Sequence, residues 1–128
     1  MKTITTIAGG LLGLAFIVFG LNFFLKFIPM GGGPPEGSPP ALFFGAVGPT
    51  GFMAFVKVCE ILGGVLVAIP KTRNLGLLVL GPIILNILAF HIFIGSPAGL
   101  LDPPVIAISV LGAFLLIAAK DKFAKLLN

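Results

Sequence analysis

The chain has 128 residues, enough for one domain. Apolar residues make up 58 % and charged residues 9 %, with a mean hydropathy of +1.21. So few charges disfavour a soluble enzyme, a nucleic-acid-binding module and a disordered tail, and leave a bundle of membrane helices.

Four apolar stretches follow in order, at about residues 4–27, 51–69, 75–94 and 105–119. A spanning helix needs about 20 residues at about 1.5 Å each. The first three stretches meet that, and the fourth does so with its ends counted generously. The fourth is expected to continue as helix into the polar tail. None alternates as a strand does, and none shows a polar face to water. The expected fold is all-α, a single polytopic domain of four transmembrane helices. No small-x-small cleavage site follows the first stretch, so it reads as a span and not as a secretory signal.

The connections carry clear punctuation. Residues 29–40 hold five prolines and four glycines and read as an irregular linker. Residues 40–48 suit a short interfacial helix, so the outer loop covers 28–50. Lys71-Thr72-Arg73-Asn74 breaks the second stretch from the third after Pro70. Asp102-Pro103-Pro104 reads as an N-cap with proline in the first turn.

The net charge of +4 gains meaning from its distribution. Lys2 precedes the first span, Lys71 and Arg73 join the second to the third, and Lys120, Lys122 and Lys125 follow the fourth. All fall on one side of a four-span protein. The other side carries Glu36 and Asp102, with Lys26 at the end of span one. The positive-inside rule then predicts both termini in the cytoplasm.

Polar residues inside the spans are few: Asn22 and Lys26, Lys57 and Glu60, Asn86 and His91, and Ser109. Counted from the outer ends, Asn22, Lys57 and His91 lie roughly 6 to 10 Å deep, and Glu60 and Asn86 roughly 13 to 15 Å deep. They outline a polar pocket open to the outside and closed to the cytoplasm. Lys57 and Glu60 stand three apart and share a helix face, as do Asn22 and Lys26 at a spacing of four. Asn86 and His91 are about 140° apart on an ideal helix, so they flank the interior from two sides unless Pro82 distorts the helix.

Each feature has a plain reading beside a sharper one. Lys57 and Glu60 either form a salt bridge that pins helices, or belong to a ligand or proton site. His91 is either an interfacial polar tip or a ligand contact. Most of the 13 phenylalanines fall in the outer half or the outer loop, among them Phe43, Phe44 and Phe90. They serve lipid contact and packing, or line a site for a flat apolar ligand. Gly9-x-x-x-Gly13 and Gly63-Gly64 permit close helix approach, within one bundle or in a dimer. Cys59 stands alone and reads as a packing residue. One cysteine and one histidine supply no disulfide, no Cys-rich zinc site and no paired haem ligands.

Taken in order, these residues resemble the DoxX-like family of small four-helix membrane proteins. The likeness rests on Gly20-Leu21-Asn22-Phe23-Phe24, on Phe27-Ile28-Pro29-Met30 before a Pro-rich loop, and on Thr50-Gly51-Phe52. It continues through Lys57-Val58-Cys59-Glu60 with Gly63-Gly64, through Pro82-Ile83-Ile84-Leu85-Asn86, and into Phe90-His91 and Pro97-Ala98-Gly99. The family is associated with thiosulfate oxidation to quinone, with quinone or catechol stress and with membrane oxidoreductase complexes. The resemblance implies a redox-linked protein of a bacterial-type inner membrane, with a redox partner protein or a second copy of the chain as partner.

The leading expectation is therefore a bound quinone, or another small aromatic ligand, in the outer half of the bundle. Asn22, Lys26, Lys57 and Asn86 would bind it, and Glu60 and His91 would exchange protons as a quinone-linked oxidoreductase component. No metal or flavin site is evident. The alternatives are a non-catalytic scaffold and, behind it, a small-solute transporter, for which no inverted repeat with broken helices is visible.

Overall fold

The computed structural model describes residues 2–28 and 33–127. Helices fill nearly all of it, and no strand occurs among the described residues. The Pro29-Met30 step and Gly31-Gly32 of the linker lie outside the described residues.

Helix α1 covers Lys2–Leu25. It stops two residues earlier than the apolar pattern because its end is capped. Lys26 adopts a left-handed φ of 53°, and its N–H donates to the Asn22 carbonyl at 2.8 Å. The Ile28 N–H donates to Asn22 Oδ1 at 2.7 Å. A non-glycine residue in that conformation carries strain of about 1–2 kcal/mol, which the two bonds to Asn22 offset.

The short helix expected after the linker forms as α2, Pro39–Val47, with Ser38 accepting from the Ala41 N–H at 3.4 Å and proline in the first turn. Thr50 Oγ1 donates to the Ala46 carbonyl at 2.9 Å, and Gly51 at φ 84° turns the chain. Helix α3, Phe52–Ala68, leaves at 83° to α2.

A 3-10 turn at Pro70–Thr72 leads to α4, Arg73–Ala89. The polar break is thus shorter than the sequence suggests. Arg73 and Asn74 already belong to α4, because polar side chains are tolerated in a first turn whose N–H groups are open. Helix α4 runs straight into a π turn, Phe90–Ile94, and the whole apolar segment spans Pro70–Ile94, 25 residues.

A 3-10 turn at Pro97–Leu101 precedes α5, Pro103–Ala118. Asp102 occupies the N-cap position, but its side chain makes no capping bond; the prolines alone set the start of the helix. The tail is helical as α6, Lys120–Ala124, but it does not extend α5: the two are bent by 71° at Ala119.

Helices α1, α3, α4 and α5 touch in a closed ring, α1 to α3, α3 to α4, α4 to α5 and α5 back to α1. Glycines set the α1–α3 and α3–α4 contacts. A methyl group at Gly13 would strike the Gly64 carbonyl, and one at Gly76 would come within 2.5 Å of the Val67 nitrogen. Leu12, Phe16, Val67, Leu80, Ile84, Ile108 and Leu115 fill the centre. The outside is equally apolar: Leu14, Val58, Leu62, Leu85, Val110 and Ile117 are all exposed. That is the distribution of a chain whose helices face hydrocarbon and not water. Helix α1 and the Pro70–Ile94 segment are each long and apolar enough to cross a membrane; the number rises to four if each bent helix pair is one span.

Candidate functional site

One stripe of α3 faces the interior: Glu60, Gly63, Gly64 and Val67. Three of the four are what close packing demands. Glu60 is the exception, a carboxyl only 5 % exposed among apolar neighbours of its stripe. Lys57, one turn earlier in α3, places Nζ at 3.3 Å from Glu60 Oε1. Its side chain stays 24 % exposed, so the pair is buried at the carboxyl end and reachable at the ammonium end. An ion pair in such a setting is weak evidence for stability, since desolvation competes with the Coulomb gain.

The other polar residues are placed differently. Asn22 is buried, also 5 % exposed, but its oxygen caps α1 through Ile28. Lys26 is exposed beyond that cap. Asn86 is exposed and donates from Nδ2 to the Pro82 carbonyl of its own helix at 3.1 Å. The buried stripe of α4 is Gly76, Leu77, Leu80 and Ile84; Asn86 lies two residues past Ile84, about 200° around, and so turns away from the core. The single polar layer expected from depth alone is therefore not formed. Angular position excludes Asn86. Among the described residues, Lys57 and Glu60 are the ones of this set that bond to each other.

His91 belongs to a second cluster. It sits half-buried in the π turn, edge-on to Phe90 with centroids 5.4 Å apart. Its ring lies against the backbone of Gly99 so closely that a methyl group there would meet Nδ1. Phe90 in turn packs on Phe43 and Phe44 of α2, each at 5.3 Å. A π turn widens the helix and resets its phase, and such turns recur at functional sites. The sequence gives no pattern for it beyond the unexplained Asn86–His91 angle. The docking of α2 onto Phe90 was equally hidden, because it joins residues far apart in the chain.

Arg73 has a role that charge counting misses. Its Nε donates to the Val67 carbonyl at 3.1 Å, in a slot left by Gly9.

No protein-family model, no curated protein and no solved structure matches this chain. What its own fold defines is an all-helical protein with two to four helices fit to cross a membrane, carrying a lysine–glutamate pair inside one of the packed helices.

Proposed function

We propose that the chain is a DoxX-like protein of a bacterial-type inner membrane that binds a quinone-like or other small aromatic ligand beside Lys57 and Glu60. On this reading it is a four-transmembrane-helix bundle with both termini cytoplasmic. Helices α3 and α5, with 17 and 16 residues, reach about 26 and 24 Å. Their bent partners α2 and α6 then lie at the two membrane surfaces. The convergence of Arg73 and Lys122 around one cavity supports the orientation, since it groups basic residues from two chain regions at one end.

The observation that carries the ligand reading is the half-open ion pair. Lys57 Nζ has three donors and gives one to Glu60. The remaining donors suit a carbonyl or phenolic oxygen, and Glu60 is placed to hold or pass a proton at Oε1 or Oε2. Phenylalanines of α2 and the π turn offer flat apolar faces, and His91 offers a second exchangeable proton at the outer end. A quinone, when bound, supplies the electron-carrying chemistry; the chain binds it, orients it, and handles protons. Electrons would leave through a redox partner in the membrane.

A scaffold reading has one specific observation in its favour. Asn86 donates to the backbone of its own helix and Asn22 accepts from the Ile28 N–H just past α1, so part of the polar set serves the fold. The deciding experiment is partition of a short-chain ubiquinone into nanodiscs with and without the purified protein. Saturable excess uptake at one site per chain supports the ligand reading; uptake equal to empty nanodiscs favours the scaffold.

A further inference from the structure

A cavity of about 300 Å³ opens where the start of α1, the start of α4 and the α5–α6 bend come together. Its wall includes Thr5, Arg73, Asn74, Asp121 and Lys122, and its floor includes Leu115. The 71° bend after α5 makes this space, because it carries Lys122 sideways instead of onward.

The Arg73 guanidinium is fixed in this wall. Its Nε is committed to the Val67 carbonyl at 3.1 Å. Any side chain at Gly9 would come within 2.5 Å of that nitrogen and 3.1 Å of Cζ, so the glycine keeps the slot open. Of the two Nη nitrogens, Nη1 remains accessible. Nη2 is buried and has no hydrogen-bond partner among the described residues, and Arg73 forms no ion pair among them. A desolvated cationic donor without an acceptor is costly and calls for a counter-group. Asp121 lines the same cavity but does not supply it.

We propose that this cavity binds a phosphate-type oxyanion, held by Nη1 of Arg73 and by Lys122. A guanidinium Nη donor and an ammonium bond the oxygens of a phosphate through charge-assisted hydrogen bonds. Thr5 and Asn74 add neutral donors, and the apolar floor accommodates a glycerol or acyl portion. Two sources present this chemistry at the mouth of a basic pocket between membrane helices: the headgroup of an anionic phospholipid, or free phosphate. The site is remote in the chain from Glu60 and independent of the quinone reading.

The test uses the full chain purified in mild detergent. Native mass spectrometry measures retention of phosphatidylglycerol against phosphatidylcholine, and a thermal-shift titration measures inorganic phosphate. Arg73→Gln and Lys122→Gln are each expected to reduce retention of the anionic lipid about fivefold, the effect of one cation near a phosphate. Asp121→Asn is expected to raise it. Lys125→Gln, outside the cavity wall, serves as the charge control and should leave it unchanged. Lys122→Gln does not touch the Arg73–Val67 bond, so it tests the site even if Arg73→Gln fails to fold. Selective lipid retention with no response to phosphate assigns the headgroup; a saturable phosphate response lost in the same variants assigns the free anion. Binding of neither probe, or equal losses in Lys125→Gln and Lys122→Gln, overturns the proposal.

Discussion

Gly13 of α1 and Gly64 of α3 meet backbone to backbone. A methyl group on Gly64 would approach the Gly13 carbonyl to 2.8 Å and Ile17 Cγ1 to 2.9 Å. The two glycine motifs therefore serve the contact between helices of one chain. Gly64→Val should destabilise the protein by about 1–3 kcal/mol or more, as overpacking does. Gly10→Ala is the matched control, since a methyl there meets nothing within 4 Å. Unfolding in a denaturing detergent series measures both; equal midpoints for Gly64→Val and wild type would refute the contact.

Removing one member of the Lys57–Glu60 pair should cost more than removing both. Lys57→Met leaves the Glu60 carboxyl buried without its ammonium, a loss of about 3–5 kcal/mol by analogy with other buried pairs. Lys57→Met with Glu60→Leu should recover most of it. The double-mutant cycle reads the coupling directly. Additive effects would mean that the pair has no energetic content.

Much of this architecture is legible in the sequence. The apolar stretches give α1, α3, α4 and α5, and the short helix expected at 40–48 falls within one residue of α2. The i to i+3 spacing gives the Lys57–Glu60 pair. The rest depends on phase and on distant contacts. Position along the helix sets Asn86 level with Glu60, whereas the Leu77–Leu80–Ile84 stripe decides which way α4 faces. On an all-apolar helix that stripe is invisible, because lipid and core ask for the same residues. The π turn at His91 and the α5–α6 bend arise from tertiary packing and leave no local signature. Arg73 reads from sequence as an orientation marker; only the fold reveals Gly9 beside it.

The contact between His91 and Gly99 makes its own forecast. Gly99→Val should displace the imidazole and open the aromatic cluster around Phe90. Diethylpyrocarbonate should then modify His91, the sole histidine of the chain, faster than in wild type. An unchanged rate would show that the ring is not held there.

Orientation can be read by labelling. In a Cys59→Ala background, Gly37→Cys should react with an impermeant maleimide added from outside intact cells. Lys125→Cys should react only after the cells are opened. Gly37 is exposed, so access is not the obstacle. The reverse pattern would place both termini outside.

The central claim rests on the carboxyl of Glu60, and Glu60→Gln isolates it. The amide keeps size and hydrogen-bonding reach but carries no charge and takes up no proton at neutral pH. Ubiquinone uptake by protein-loaded nanodiscs should fall about tenfold or more, the scale of a lost charge-assisted hydrogen bond, with helicity and monodispersity unchanged. Uptake at the wild-type level in a correctly folded Glu60→Gln protein would contradict the account and leave the Lys57–Glu60 pair as a structural tie.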